Sequence, residues 1–249
     1  MIINRLLKIG LAIFSILYIG LEIAKYGIYA DNISVILLVA LTILYARQKE
    51  NRKGYTPFFL YFLIFYTLAK LTDVVSNYYF YFNENEIDYG YFISNYLCIL
   101  AYFFLILRCI STFNLKDIIK NFPVTIIILL VLSVFCVTLI TETAETQLSN
   151  AEYVTEFSYN VVVMTLLSIA LINYMDKDDN KSMLFFIGTM FIFFSEMLQL
   201  AYYYIADMTY LAAIYSVFLV LAFVFFYKQS KLKHQKFANY DYLNENLKA

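Results

Sequence analysis

YTLAKLTDVVSNYYFYF (66–82) and FIFFSEMLQLAYYYI (191–205) decide the reading of this chain. Each is a long apolar stretch interrupted by one acid, Asp73 in the first and Glu196 in the second. In each, a hydroxyl residue precedes the acid (Thr72, Ser195) and a tyrosine-rich run follows about five residues later. A carboxylate in hydrocarbon costs at least about 2.5 kcal/mol, so such residues face a protein interior or a water-filled cavity and mark function by default. One acid in each half of the chain predicts an internal repeat whose halves share a site.

The composition sets the class. Of 249 residues, 62% are hydrophobic and 15% charged, well below the quarter or so of charged residues in a soluble domain. The chain therefore reads as an all-α, polytopic transmembrane bundle, with one membrane domain over residues 1–230 and a basic, polar tail over 231–249. The net charge of −1 gives no indication of nucleic-acid binding. Cys98, Cys109 and Cys136 all fall in apolar segments and read as small buried hydrophobes. With His234 the single histidine, a His-rich metal site is excluded, and no cofactor is expected. There is no G-x-S-x-G, P-loop or Gly-rich fingerprint, and no loop within the chain is long enough for a soluble catalytic domain.

About 20 mostly apolar residues span a bilayer. Eight segments qualify, roughly 6–25, 33–46, 57–81, 89–110, 121–140, 154–175, 182–205 and 209–227, of which the second is short, as a tilted or partly interfacial segment would be. The first resembles a signal peptide but lacks a small-residue cleavage site, and is expected to be a retained helix. The loop after the second segment carries Arg47, Lys49, Arg52 and Lys53; the loop after the fourth carries Lys116 and Lys120; the tail carries Lys228, Lys231, Lys233 and Lys236. The intervening loops are acidic, with Glu84, Glu86 and Asp88, then Glu142, Glu145, Glu152 and Glu156, then Asp207. The Lys and Arg bias predicts cytoplasmic termini, in what is expected to be a bacterial inner membrane.

Aligning Asp73 with Glu196 pairs YYFYF (78–82) with AYYYI (201–205) and, after a small change in loop length, LAYFFLILR (100–108) with LAFVFFYK (221–228). Equivalent segments lie four spans apart and so run in the same direction. This predicts two parallel four-helix repeats about an axis along the membrane normal.

On the third segment Lys70, Asp73 and Asn77 share one helical face; on the seventh Ser195, Glu196, Gln199 and Tyr203 follow nearly the same spacing. The fourth adds Ser94, Asn95 and Tyr102, the sixth Ser158 and Asn160. Buried polar groups need partners, so these residues are expected to converge on one interior. Interhelical hydrogen bonding alone would also account for them, and Lys70 is placed to neutralise Asp73. Glu22 and Lys25 are expected to snorkel to the outer interface, and Arg108 to anchor the inner one.

The third segment, followed by YFISNYLCILAYFFLIL (91–107), resembles the YhhN family, as does the second half, SMLFFIGTMFIFFSEMLQLAYYYIAD (182–207) with YSVFLVLAFVFF (215–226). The resemblance runs along nearly the whole chain, in order. It implies a lysoplasmalogenase, which hydrolyses the vinyl ether bond of a lysophospholipid. The family's Gly-Asp and Ser-Asp pairs are here Thr72-Asp73 and Ser195-Glu196. By resemblance Asp73 and Glu196 are the catalytic pair. Lys70, Asn77, Asn95, Gln199 and Tyr203 are the candidates for holding a membrane lipid or lysophospholipid substrate. The chemistry needs one carboxyl group to protonate the enol ether and a second to stabilise the cation or orient water. The competing reading is a non-catalytic transporter or sensor that keeps the fold and uses the tail to dock a partner.

Overall fold

A computed structural model describes residues 2–48, 57–79, 88–205 and 208–232. The tail beyond residue 232, the basic residues Lys49, Arg52 and Lys53, and the acids Glu84, Glu86 and Asp207 lie outside the described residues. Nine α-helices form among those described: α1 (Ile2–Ile23), α2 (Gly27–Gln48), α3 (Phe58–Tyr79), α4 (Tyr89–Ile110), α5 (Leu115–Asn121), α6 (Pro123–Ala144), α7 (Asn150–Lys177), α8 (Asn180–Tyr204) and α9 (Thr209–Ser230). All but α5 are long and apolar enough to cross a membrane. Even the 22-residue helices reach about 33 Å, against about 30 Å of hydrocarbon. The protein is an integral membrane bundle.

Local sequence signals start several helices. The Asp88 side chain accepts from Tyr91 N–H at 2.9 Å and caps α4. Ser149 and Glu152 form a capping box on α7, as Asp179 and Ser182 do on α8. Pro123 opens α6, where its missing N–H is not needed. Between α1 and α2 the chain reverses in three residues, with Lys25 in the left-handed region at φ 60°.

Two expectations are corrected. The second spanning segment is a full 22-residue helix: it begins at Gly27 and includes the polar Asp31 and Asn32, which hydropathy assigns to a loop. The fourth and fifth spanning segments are joined by the short helix α5, which hydropathy alone does not reveal.

Seven of the long helices close into a ring in the order α1–α2–α3–α4–α7–α8–α9 and back to α1. Helix α6 stays outside, packed mainly on α7, with a broad apolar face exposed that includes Ile127, Val131 and Phe135. One end of the bundle carries the α1–α2, α3–α4, α6–α7 and α8–α9 connections and is called the connection end; the other is the terminal end. Aromatic rings fill the centre. Phe62 stacks on Tyr102 at 6.2 Å and on Phe223 at 5.8 Å, and meets Phe226 edge-on. These contacts tie α3, α4 and α9 together. Exposed tyrosines, among them Tyr26, Tyr29, Tyr78, Tyr89 and Tyr210, gather at the connection end, where interfacial rings are favoured.

Candidate functional site

Between the aromatic core and the connection end lies a polar cavity of about 480 Å³. Its walls come from α2, α3, α4, α7 and α8, and all seven candidates of the sequence line it: Lys70, Asp73, Asn77, Asn95, Glu196, Gln199 and Tyr203. Asp73 and Glu196 thus open onto one space from opposite halves of the chain.

The helical spacing explains the arrangement. Lys70 and Asp73, one turn apart on α3, pair at 3.5 Å (Nζ to Oδ2). Asp31 and Glu196 line the same cavity as Lys70. Glu196 accepts a short hydrogen bond, 2.5 Å, from the Tyr102 hydroxyl of α4. Asn77 at the rim donates to Asp31 Oδ2 at 3.4 Å. Asn95 donates to the Tyr91 carbonyl of its own helix at 2.9 Å, so its amide nitrogen is engaged locally. Tyr203 is exposed at the rim.

Three acids in the cavity wall, Asp31, Asp88 and Glu156, lie outside the candidates that the sequence offers, and Asp88 is the cap of α4. Asp31 belongs to the part of α2 read as loop. Glu156 was counted as a loop charge but lies in α7, 8% exposed, with the Tyr91 hydroxyl donating to it at 3.3 Å. The signal for Glu156 was present: Tyr159 and Asn160 follow it at i+3 and i+4, one polar face of a helix, and all three line the cavity. Asn160 donates to Thr141 Oγ1 at 3.2 Å, while its Oδ1 is buried without a hydrogen-bond partner.

Three further expectations change. Glu22 does not snorkel: it is buried on α1 and accepts from the Tyr215 hydroxyl of α9 at 2.6 Å. Arg108 turns inward from the terminal end of α4, donating to Gln229 Oε1 at 2.9 Å and lying over the rings of Phe59 and Phe185. A guanidinium stacked between rings is part of the packing rather than an interfacial anchor. Ser158 bonds the Val154 carbonyl of its own helix and is not among the cavity-lining residues. The hydroxyls that precede the two acids also point elsewhere: Ser195 donates to the Tyr215 carbonyl of α9 at 2.8 Å, and Thr72 to Leu68 within α3.

A second cavity, of about 350 Å³, lies beside the first. Leucine and valine from α1, α2 and α9 make up much of its apolar wall, and it shares Asp31, Lys70, Gln199 and Tyr203 with the polar cavity. Those four residues form the junction between a polar and an apolar compartment. Among the described residues, no group of three or more His, Cys, Asp or Glu side chains is disposed to hold a metal ion.

No family model, no curated protein and no solved structure matches this chain.

Proposed function

We propose that this protein is a YhhN-like membrane hydrolase of the lysoplasmalogenase type, which cleaves the vinyl ether bond of a lysophospholipid with Asp73 and Glu196. The observation that carries the reading is the opening of both acids, from α3 and α8, onto one cavity that Lys70 also lines.

The roles follow from the neighbours. Asp73 sits beside the Lys70 ammonium and serves as the carboxylate. Glu196, held by a neutral hydroxyl from Tyr102, serves as the proton donor. Glu196 protonates the outer alkenyl carbon, and the ether oxygen lone pair forms an oxocarbenium ion. The Asp73 carboxylate stabilises that cation, as in paired-carboxylate glycoside hydrolysis. Water adds to the cationic carbon and returns a proton to Glu196. The hemiacetal then breaks its C–O bond to release an aldehyde and the glycerol hydroxyl of the head-group fragment. Overall one water is consumed and Glu196 ends protonated, as it began. Asn77, Asn95 and Tyr203 at the rim, with Gln199 at the junction, supply hydrogen bonds to the polar part of the substrate.

The Lys and Arg bias supports cytoplasmic termini and hence a cavity opening on the outer face of a bacterial inner membrane. Purified protein given lysoplasmalogen should release a long-chain aldehyde and should leave an ester-linked lysophospholipid intact. Absence of aldehyde release overturns the proposal. It would favour the second reading, a non-catalytic membrane protein, for which one observation speaks: Asp31, Asp73, Glu156 and Glu196 each already have a hydrogen-bonding partner.

A further inference from the structure

The apolar cavity has no part in the chemistry just described, yet it opens into the site. Its upper end is the junction of Asp31, Lys70, Gln199 and Tyr203. From there it runs between α1, α2 and α9 past Leu37, Leu41 and Leu219 to Lys8 and Lys228 at the terminal end. Along α1 it extends from Glu22 to Lys8, fourteen residues, or about 21 Å. One leaflet of hydrocarbon is only about 15 Å thick. The space is therefore long and largely apolar, joined to a polar chamber at one end and flanked by lysines at the other.

We propose that this cavity holds the single hydrocarbon chain of an amphiphile whose head lies in the polar chamber, with its terminal methyl near Leu11 and Ala12 and its length limited by Lys8 and Lys228. The inference rests on the head-group placement proposed above, and it adds where the chain lies and what limits its length. Two features of the wall support it. The groove side of α1 carries small residues, Ala12 and Ser15, and the Ser15 hydroxyl is turned back onto the Leu11 carbonyl at 2.7 Å, which satisfies its donor within the helix. Helix α1 also meets only α2 and α9 among its substantial neighbours, so the track lies at a seam through which a chain can enter from the bilayer.

The test uses photoreactive lysophosphatidylcholine with an ester-linked chain, which the vinyl ether reaction does not consume. With the diazirine near the terminal methyl of a sixteen-carbon chain, labelling of the full-length protein in nanodiscs should concentrate on the segments around Leu11 and Leu219. With the diazirine near the ester, labelling should move to the segments around Asp31 and Tyr203. Ser15→Phe, which blocks the track about halfway, should reduce terminal labelling at Leu11 at least tenfold and leave labelling by an eight-carbon probe within twofold. Labelling spread over lipid-facing residues such as Val131 and Leu132 of α6 would mean bulk lipid contact only and would overturn the inference. So would an unchanged pattern in Ser15→Phe. Aldehyde release from a vinyl ether substrate without this labelling pattern would sink the chain site and leave the proposed activity standing; the pattern without aldehyde release would do the reverse.

Discussion

Helices α1 and α6 open the two halves of the chain, but they join the bundle differently. Within each half the neighbour order is the same: α1–α2–α3–α4 and α6–α7–α8–α9 each pack in sequence, with α3 against α4 and α8 against α9 as the most extensive contacts. At the boundaries between halves this likeness ends. Helix α4 packs directly on α7 and leaves α6 outside the ring, whereas α9 meets α1, which is built into it. The inserted α1 keeps α2 and α9 apart, and the apolar cavity occupies the space it holds open. Two similar four-helix units thus yield one shared polar chamber and a single apolar groove on one side of it. A difference in the placement of one helix is enough to turn a symmetric arrangement into one with a polar chamber and an apolar groove beside it.

The largest effect is expected where the halves agree. Asp73→Asn and Glu196→Gln keep size and hydrogen bonding but remove the titratable proton. Each should lower aldehyde release by about 100- to 10,000-fold, with the thermal midpoint of the detergent-solubilised protein little changed. Glu196→Asp restores the shorter acid that the family resemblance implies and separates a compensated side chain from a drifted one. A fall in rate would mean the chamber is fitted to the longer acid.

The next test contrasts the basic residues that end the two paired stretches. Arg108 closes LAYFFLILR and Lys228 closes LAFVFFYK, one residue out of register. Arg108 is drawn inward to Gln229 and two phenyl rings, whereas Lys228 is exposed, its ammonium 6.0 Å from the Phe225 ring centroid. Arg108→Leu should cost about 2–3 kcal/mol, because it leaves Gln229 Oε1 buried without its donor. Lys228→Leu should stay within about 0.5 kcal/mol. Equal losses in thermal unfolding would restore the symmetry that the packing lacks.

Each half also uses a glycine at its α3–α4 or α8–α9 contact, but at opposite ends of the bundle. A Cβ on Gly90 would lie 2.1 Å from Ser76 Oγ and 2.6 Å from its Cβ, at the chamber wall; one on Gly188 would meet the Phe226 ring at 2.8 Å, in the aromatic core. Alanine at either site should cost about 1–3 kcal/mol through overpacking. Gly90→Ala alone should also slow aldehyde release, since the displaced helices line the chamber. Full activity in a folded Gly90→Ala protein would separate the α3–α4 contact from the site.

How far these features are legible in the sequence depends on what hydropathy measures. All eight spans are readable from it, and the repeat of acid plus aromatic run brings Asp73 and Glu196 to the same chamber. The same measure starts the second segment only after Asp31, and Glu156, though inside the sixth segment, reads as a loop charge, because polar residues that line an internal cavity resemble loop residues in a window average. Glu22 fails for a related reason. Its position near a helix end fits snorkelling, and only the nearness of Tyr215, 193 residues away, draws it inward. Arg108 needs Gln229 of the last helix in the same way. One-dimensional periodicity finds the face of a helix but not the partner helix it meets.

The smallest expected effect concerns the hydroxyls before the acids. Ser195→Ala removes a buried bond to α9 and should cost about 0.6 kcal/mol, typical of interhelical bonds in membranes. Thr72→Ala loses only a bond within its own helix and should be close to neutral.

The central claim, that acids from two halves form one site, is tested most directly by a double-mutant cycle on aldehyde release with wild type, Asp73→Asn, Glu196→Gln and the double variant. Residues acting as one unit are strongly non-additive. The double variant should therefore be no slower than about threefold below the worse single variant. Multiplying losses would place the two acids in separate roles, and full turnover in both single variants would contradict the account.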